Sequence, residues 1–300
     1  MTAILKTPRM VRGVLRGGEA RFMLCETTRM VQQARDIHHA SNTCTAAMGR
    51  LISGAAMMGA GLKNDGDRLS IIINGGGPLG ALCAVAASGG RVKVTVDHPQ
   101  IELPLRKDGK IDVGGAVGKD GQISVMRSYG FGEPYMGRVN LSSGEIAEDF
   151  ALYYLESEQI PSLCALGVHI SDRVESAGGI LIQAMPNCTE SLLNDLEIRT
   201  ELFAGISQLL QEYTLEELIE ACFRGLEPEI LEQGELELRC DCSMAYIEKV
   251  LLSMGRAELT RIMEEEDACE VQCHFCGKHY AFDRNHLNSL IQDGQMEETL

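Results

Sequence analysis

The sequence lacks a long hydrophobic segment. Its longest apolar stretches, such as Leu69–Ile73 and Ala81–Ala87, are far shorter than the roughly 20 residues that a membrane helix requires. The first residues, Met1–Met10, also lack the apolar run and the small-residue cleavage site of a secretory signal peptide. We therefore expect a cytoplasmic protein with no membrane partner.

The sequence also lacks an excess of basic residues. Its formal net charge is -16 and its isoelectric point is near 4.9. The charge is uneven, because residues 201–240 contain ten acidic residues and only two arginines. Proteins that bind nucleic acid usually need a basic surface. We therefore expect no nucleic-acid partner.

Tryptophan is absent and aromatic residues make up only 5% of the chain, whereas methionine occurs 14 times. This bias favours a soft and adaptable apolar surface, which promiscuous binding sites tend to have. Hydrophobic residues (45%) and charged residues (23%) are as frequent as in ordinary globular proteins. The composition therefore excludes a disordered, collagen-like or coiled-coil chain, and 300 residues are enough for one large domain or two smaller ones.

Sequence motifs of common enzymes are missing or out of context. There is no phosphate-binding G-x-x-x-x-G-K-[ST] loop. Gly75–Gly80 formally matches the dinucleotide-binding pattern G-x-G-x-x-G, and Asp97 follows at the distance of a ribose-binding acid. However, Ala81–Ser88 leaves room for only about two helical turns, and Pro78 lies inside the motif. We interpret the segment as a glycine-rich bend between strands, and we expect no enzyme activity.

Residues 1–185 are predicted to form an α+β domain. Short β-branched runs between glycine-rich turns predict strands at Leu69–Asn74, Arg91–Val96 and Gly179–Met185. Helical patterns occur at Thr27–Ala60 and at Ser143–Glu158, the latter opened by Ser143 or Gly144. Because strands and helices do not alternate strictly, the pattern favours a mixed sheet-and-helix fold over a doubly wound sheet.

Residues 186–234 are predicted to be a helical linker. Thr189–Gln211 carries apolar residues at helical spacing. Thr214 and Glu217 then have the spacing of a capping box, in which Thr214 is the N-cap and Glu217 the third helical residue. A second helix is therefore expected from Thr214 to about Phe223.

Residues 235–300 are predicted to form a small C-terminal domain. Its 66 residues can build only a marginal core, and domains of this size usually require a metal, disulfides or a partner. A structural zinc ion contributes on the order of 10–16 kcal/mol, which is enough to fold such a segment.

Five of the eleven cysteines fall in this C-terminal domain, whereas the other six are scattered singly. Cys240 and Cys242 form a C-x-C pair, and Cys273 and Cys276 form a C-x-x-C pair after a spacer of 30 residues. Two such pairs supply the four thiolates of a tetrahedral Zn²⁺ site. We predict that these cysteines bind one Zn²⁺ per chain, and that Gly277 lets the backbone turn beside the second pair.

Other candidate ligands lie close to the second pair, namely Cys269, His274, His279 and His286. Four thiolates already complete a structural zinc site, so we predict that these residues are bystanders. Unligated cysteines packed in a core are an alternative, which the polar and charged neighbours of the pairs disfavour.

A four-thiolate site in an exposed acidic domain is sensitive to oxidation. Zinc holds the sulfurs as thiolates, the form that oxidants attack. Disulfide formation ejects the metal and removes most of the folding energy of the domain. The pattern therefore predicts a fold-to-unfold switch driven by oxidant. A zinc-ribbon regulator that binds nucleic acid is an alternative, which the net charge disfavours, and a dinucleotide-dependent enzyme is a weaker one.

Several motifs in the N-terminal domain accompany the cysteine pattern. They are Asn74–Gly80, Gly132–Tyr135 with Gly137, Ser143–Asp149, Tyr154–Gln159, and Ala177–Gly179 with Gln183. In this order, and with C-x-C and C-x-x-C about thirty residues apart near the C-terminus, the chain resembles the redox-regulated 33 kDa chaperonin (heat shock protein 33) family. The resemblance covers most of the chain and includes all four cysteines.

The resemblance implies an ATP-independent molecular chaperone, a holdase, that binds unfolding proteins under oxidative stress. The reduced, zinc-bound form is expected to be an inactive monomer. Peroxide with mild heat, or hypochlorous acid, is expected to form the disulfides Cys240–Cys242 and Cys273–Cys276 and to release zinc. The zinc domain and linker are then expected to unfold, and the chaperone to form a homodimer that holds unfolded clients. A C-x-C disulfide closes a tight ring, so its reduction should be easy.

Overall fold

A computed structural model describes residues 6–130, 132–255, 258–261 and 268–297. The chain folds as two compact units, with the boundary between Arg239 and Cys240. Residues 186–234, the predicted linker, belong to the first unit. The predicted division of the chain into three parts is finer than this division into two units, and it stays a prediction.

The strands, numbered in chain order, are β1 Arg9–Leu15, β2 Ala20–Glu26, β3 Arg68–Gly76, β4 Leu82–Ala87, β5 Arg91–Val96, β6 Gly118–Ser128, β7 Tyr135–Asn140, β8 Ser162–Ile170, β9 Val174–Ala184, β10 Glu229–Glu235, β11 Glu237–Leu238, β12 Ala268–Gln272 and β13 His279–Asp283.

The helices are α1 Thr28–His38, α2 Asn42–Met58, α3 Val113–Val117, α4 Ala147–Glu156, α5 Glu190–Ile198, α6 Thr200–Phe203, α7 Ile206–Glu212, α8 Leu215–Cys222, α9 Met244–Ser253 and α10 Arg284–Glu297. Two short 3₁₀ turns lie at Arg16–Gly18 and Gly59–Gly61, and residues 258–261 are also helical. None of the helices in the described ranges is both long and apolar enough to cross a membrane.

Two sheets form the framework of the first unit. One sheet has the strand order β10-β1-β2-β9-β8, and the other has the order β11-β5-β4-β3-β6-β7. Neighbouring strands are antiparallel, except that β11 runs parallel to β5. Sheets and helices in this arrangement confirm the predicted α+β class.

Helix α2 contacts both sheets, and 15 of its 17 residues are buried. Its sequence is rich in Ala, Gly and Met, because wide side chains would not fit an element that is enclosed on nearly all sides. The sequence predicted helical structure throughout Thr27–Ala60. The structure divides this segment into two helices, since His39 has the left-handed conformation (φ 49°) that ends α1.

The central strands β1, β2 and β9 of the five-stranded sheet are covered on both faces. Met10, Met23 and Leu181 face the core that contains α2. The alternate residues of the same strands face a second core, to which helices α5 to α8 also contribute. Side chains alternate between the faces of a strand, so this sheet lies between two layers of helices.

The predicted capping box is present at α8. The hydroxyl of Thr214 accepts a hydrogen bond from the Glu217 amide, and the Glu217 carboxylate accepts one from the Thr214 amide. At α4, by contrast, the helix begins at Ala147 rather than at Ser143 or Gly144. The Asp149 carboxylate accepts the amide of Ile146 (3.1 Å), which fixes the later start.

The strand β10 was not predicted from the sequence. It pairs antiparallel with β1 at the edge of the five-stranded sheet, and β11 then pairs with β5 at the edge of the other sheet. All seven residues of β10 are exposed. An acidic strand without a buried face has no alternating hydrophobic pattern, and the sequence signal for a strand is therefore missing.

The predicted bend at Gly75–Gly80 lies between β3 and β4, although Gly75 and Gly76 still belong to β3 and the turn begins at Gly77. Ala81 is followed directly by strand β4, so no crossover helix exists for a dinucleotide-binding unit. The Asp97 carboxylate accepts a hydrogen bond from the Ala81 amide (2.8 Å). Gly80 has φ +70°, and a Cβ there would lie 2.7 Å from Asp97. The geometry of the turn therefore explains both Gly80 and Asp97.

In its described residues, the second unit contains a hairpin and two main helices. The sequence on either side of the C-x-x-C pair predicts strands at Cys269–Gln272 and His279–Phe282, and β12 and β13 pair antiparallel there. Phe282, Tyr280 and Ile247 lie in a core of eight buried residues within the described part of this unit. The acidic run Glu264–Asp267, which the sequence predicts to be a solvated helix end, lies outside the described residues.

Candidate metal centre

The four cysteines of the two predicted pairs meet in the second unit. Their Sγ atoms all lie within 4.8 Å of one another. The Sγ atoms of Cys240 and Cys273 are 3.7 Å apart, and those of Cys242 and Cys276 are 3.4 Å apart. These distances are far longer than the roughly 2.05 Å of a disulfide bond, so the cluster is in its thiol form.

Two elements bring the sulfurs together. Cys240 and Cys242 precede α9, whose first turn is capped by the Ser243 hydroxyl accepting the Tyr246 amide (3.2 Å). Cys273 and Cys276 lie in the turn that joins β12 to β13. The Cys273 amide donates to the Lys278 carbonyl (2.9 Å), which closes that turn across the base of the hairpin loop.

Gly277 shapes the loop at the second pair. Its φ is +70°, a conformation that favours glycine, and its amide donates to the carbonyl of Cys273 at 2.8 Å. The chain therefore reverses directly after Cys276, as the sequence analysis expected. This reversal lets both sulfurs of the C-x-x-C pair point to the same side.

The cluster fits a tetrahedral metal ion with four thiolate ligands. Zn–S bonds of about 2.3 Å in a tetrahedron place the sulfurs about 3.8 Å apart. The two distances of 3.4 and 3.7 Å and the overall limit of 4.8 Å agree with this spacing. The four cysteines could therefore hold a metal ion, and soft thiolate donors of this kind suit zinc.

A tyrosine that the sequence analysis did not identify contacts the cluster. The buried Tyr280 donates a hydrogen bond from its hydroxyl to the Sγ of Cys242 at 3.1 Å. It lies on β13, two residues after Lys278, whose Nζ is 5.1 Å from the centre of the Tyr280 ring. A buried tyrosine usually needs a partner for its hydroxyl, and this need is the one signal in the sequence for its role.

The thiols of the cluster differ in acidity. Burial raises the pKa of Cys242, but hydrogen bonds from Tyr280 and Cys276 outweigh that effect and bring the pKa to about 7. Burial, together with the hydrogen bonds they donate to neighbouring sulfurs, raises the pKa of Cys240 and of Cys276. The hydrogen bonds therefore make Cys242 a thiolate more readily than Cys240 or Cys276 before a metal is bound.

The predicted bystanders lie outside the cluster. His279 pairs with Glu270 (2.7 Å), and His286 pairs with Glu248 (2.9 Å). Both histidines therefore join elements of the second unit through carboxylates. Cys269 is half-buried against the hydrophobic core and is not one of the four clustered sulfurs.

The six single cysteines belong to the first unit and have a different environment. Burial raises the pKa of each thiol, and for Cys25 and Cys44 it raises the pKa to about 12. They are Cys25, Cys44, Cys83, Cys164, Cys188 and Cys222. At neutral pH these side chains are protonated and therefore react slowly with oxidants.

The fold and the site together define a class of protein. A two-sheet α+β unit precedes a small unit in which four cysteines meet around a space suited to a metal ion. The class is therefore that of proteins with a large α+β unit followed by a small, separate unit that contains a four-cysteine centre.

Comparisons with known proteins identify the family within this class. The family described as "Hsp33 protein" matches residues 9–283. The 33 kDa chaperonin of Alkaliphilus metalliredigens is 40% identical over 95% of this chain and 99% of its own length. That of Alkaliphilus oremlandii is 42% identical over 94% of this chain and 95% of its own.

A solved structure shows the same fold. The crystal structure of the 33 kDa chaperonin (heat shock protein 33 homolog) from Thermotoga maritima matches with a TM-score of 0.86 and 31% identity. The match covers 97% of this chain and all of that one. The chain belongs to the Hsp33 family and is a chaperone, so the resemblance found in the sequence is confirmed.

Proposed function

We propose that this chaperone is a redox-regulated, ATP-independent holdase, and that its switch is the cluster of Cys240, Cys242, Cys273 and Cys276. The observation that carries the proposal is the meeting of four sulfurs in a small unit. A unit of this size, with eight core residues buried among those that the structure describes, needs a further source of stability. One Zn²⁺ per chain would supply it and would keep all four sulfurs as thiolates.

Oxidation of the cluster is the proposed trigger. A thiol reacts with hydrogen peroxide to give a sulfenic acid and water, and a neighbouring thiol then displaces the second oxygen as water. For each disulfide, two thiols lose two electrons and two protons, and one peroxide becomes two waters. Two disulfides use all four donors, so the chain no longer binds the ion.

The proposed pairing is Cys240–Cys242 and Cys273–Cys276, and it rests on the resemblance to the family. In the reduced cluster the shortest contacts cross between the pairs, from Cys240 to Cys273 and from Cys242 to Cys276. All four sulfurs lie within 4.8 Å of one another, so each partner is close enough to react. Local disulfides would leave the two pairs unconnected, and the unit would then lose the cross-link between Cys240 and the hairpin loop.

The apolar surface for clients is proposed to lie under helices α5 to α8. Their buried side chains cover one face of the five-stranded sheet, where Phe22, Leu24 and Ile182 lie. In the folded state this surface is inaccessible, which agrees with an inactive reduced form. Unfolding of the second unit is proposed to release these helices, so that the sheet and the helices both offer apolar surface to unfolding proteins.

The same exposed surface is proposed to join two activated chains as a homodimer. Burial of apolar area between copies lowers the free energy of the activated state, since the hydrophobic effect is proportional to the area removed from water. The proposal places the chain in the cytoplasm, where a reducing environment keeps the cluster as thiols until oxidative stress occurs.

The test combines metal content, thiol content and chaperone activity in the full-length protein. Reduced protein should contain one zinc per chain, and peroxide at raised temperature should release it with the loss of four thiols. The oxidised protein should suppress aggregation of an unfolding client without ATP, and reductant with zinc should reverse the effect. Equal suppression by the reduced protein would remove the switch and leave a constitutive holdase.

Single cysteine variants test the assignment of the ligands. Cys240→Ser should reduce zinc content sharply, because three thiolates no longer close the site. Cys269→Ser is the matched control in the same unit and should bind zinc as the unaltered protein does. Unchanged zinc content in Cys240→Ser would overturn the four-cysteine site, and mapping of disulfide-linked peptides after oxidation would decide the pairing.

A further inference from the structure

The segment that joins the first unit to Cys240 lies on the edges of both sheets. We call residues 229–238 the edge strap, which consists of β10 on β1 and β11 on β5. The strap ends two residues before Cys240, the first cysteine of the metal centre. Its chain therefore continues directly into the unit whose folding depends on the four sulfurs.

The strap is held mainly by its backbone. All seven residues of β10 are exposed, and the one ion pair that the structure shows for this strand joins Glu232 to Arg12. The amides of Leu236 and Glu237 donate to the carbonyls of Pro8 and Gly90, each at 3.0 Å. Backbone hydrogen bonds at an open edge contribute little net free energy, because water can replace them.

Leu236 is the buried anchor between the two strands of the strap. Its side chain is 5% exposed and lies in the main core. Leu236 and Glu235 line two clefts of about 270 and 440 Å³. Leu238, which is half-buried, also packs against the main core. Anchors with clefts beside them hold a segment less firmly than side chains enclosed on all sides.

A register shift weakens the strap further. Arg12 is opposite Glu232, but the next residue, Gly13, is opposite Ile230. Leu231 therefore has no partner on β1, and its side chain is 61% exposed. β-bulges of this kind interrupt the ladder of hydrogen bonds at a sheet edge.

Detachment of the strap would leave β1 as an edge strand. Its outward backbone groups would lose their partners along six paired positions, from Arg9 to Val14. One face of β1 carries Val11 and Leu15, which belong to the core beneath helices α5 to α8. An open edge with apolar residues on one face is a template for another extended chain.

We propose that the β1 edge binds extended segments of client proteins by antiparallel strand addition once the strap has left. This inference deepens the proposed function and rests on it, because oxidation of the cysteine cluster is what releases the strap. The partner is an extended segment of about seven residues, the length of β1. Backbone hydrogen bonds give such an edge affinity without sequence preference, as a holdase for many clients requires.

The probe is a labelled peptide with the sequence of residues 228–236, in two alternately N-methylated forms. One form is methylated at Glu232 and Gly234, and the other at Gln233 and Glu235. Alternate residues of a strand direct their backbone groups to opposite sides. Strand addition therefore predicts that one form loses at least about tenfold in affinity, while the other stays within about twofold of the unmethylated peptide.

The peptide is titrated against two activated forms of the full-length chain: the oxidised protein and a reduced Leu236→Ala variant with all cysteines intact. Leu231→Ala on the same strap is the matched control and should remain closed when reduced. Hydrogen exchange of the β1 amides shows whether the strap has left. Exchange should be raised in both activated forms and should fall again when the unmethylated peptide or a client binds.

The outcomes separate this inference from the proposed function. Equal loss of affinity in both methylated forms, or β1 amides that stay protected in both activated forms, would overturn strand addition even where client aggregation is suppressed. An oxidised protein without holdase activity would overturn the proposed function. In that case, the reduced Leu236→Ala variant still tests strand addition. Strand addition requires that only one of the two methylated peptides loses affinity for this variant.

Discussion

At the scale of single residues, one sulfur of the cluster, Cys242, differs in acidity from the six cysteines of the first unit. Burial raises the pKa of six cysteines in the first unit, whereas the hydrogen bond from Tyr280 helps to bring the pKa of Cys242 to about 7. Oxidants react with thiolates far faster than with thiols. Reactivity is therefore highest at Cys242, one of the four sulfurs that could hold a metal ion.

The cluster was predictable from spacing alone, but its supporting residues were not. The C-x-C and C-x-x-C patterns specify ligands whatever the fold, because each pair is local in sequence. Tyr280 reaches Cys242 across 38 positions of the chain. Such a contact depends on how the hairpin packs, which no local pattern contains.

The Tyr280 hydroxyl is expected to strengthen metal binding. Tyr280→Phe removes the hydrogen bond to Cys242 and keeps the buried ring, so the fold should survive. Groups that orient metal ligands typically contribute 10- to 100-fold in affinity, and we expect a loss of about 10-fold or more. Competition between the reduced protein and a chelator measures this change. Tyr246→Phe, at an exposed position of the same unit, should have no effect, and equal affinities in both variants would contradict the role.

At the scale of secondary structure, local signals predicted elements better than their ends. The capping box placed the start of α8 correctly, because both of its hydrogen bonds join residues three apart. The break at His39 and the late start of α4 were missed: the left-handed conformation of His39 decides the first, and the Asp149 carboxylate, which accepts the Ile146 amide three residues away, decides the second. The sequence did not predict strands β10 and β11, because backbone pairing defines them and their residues show no apolar pattern.

Helix α8 is expected to depend on its cap. Thr214→Ala removes the hydroxyl that accepts the Glu217 amide, and such losses cost about 1 kcal/mol. We expect faster hydrogen exchange in α8 and activation by less oxidant. Thr214→Ser keeps the hydroxyl and serves as the control. Identical exchange in the Ala and Ser variants would show that the cap does not hold the helix.

The attachment of α8 to β1 is expected to weaken in acid. Arg9 donates two hydrogen bonds to Glu216, and this partner lowers the pKa of Glu216 from 4.5. A carboxylate with a lowered pKa stabilises the folded state above its unfolded pKa, and this stability is lost as the pH falls through the folded value. The pair is partly exposed, so the contribution should be below about 1 kcal/mol.

Hydrogen exchange at α8, corrected for intrinsic rates, measures this dependence between neutral pH and the range below 4.5. Protection in the unaltered protein should decrease as Glu216 is protonated. In Glu216→Gln the starting protection should be lower and the decrease smaller. A decrease of the same size in both proteins would assign the pH dependence to other groups.

At the scale of the whole molecule, the two units are expected to differ in their need for metal. The first unit has two extensive hydrophobic cores, whereas the second has eight buried residues among those described. A chelator should therefore unfold residues 240–300 of the reduced protein and leave the two-sheet framework folded. Calorimetry should show the loss of one transition and the retention of the other. A metal-free second unit that still melts cooperatively would contradict the dependence.

The fold class of the whole chain followed from its pattern of elements, whereas its layering did not. Local runs of β-branched residues and helical periodicity were enough to predict an α+β protein. Nothing local shows that α2 contacts two sheets, although its small residues are compatible with that position. Packing between distant segments decides the layers.

The spacer between the two cysteine pairs gives engineers room for added sequence. A bound ion would join Cys242 to Cys273 around 30 intervening residues, and doubling the length of such a loop costs only about 0.6 kcal/mol in closure entropy. Each cysteine pair, in contrast, has a fixed spacing, because one residue added between its two cysteines would turn a donor sulfur away from the cluster. An epitope or reporter inserted beyond Ser253 should therefore be tolerated, whereas a single alanine inserted between Cys240 and Cys242 should not.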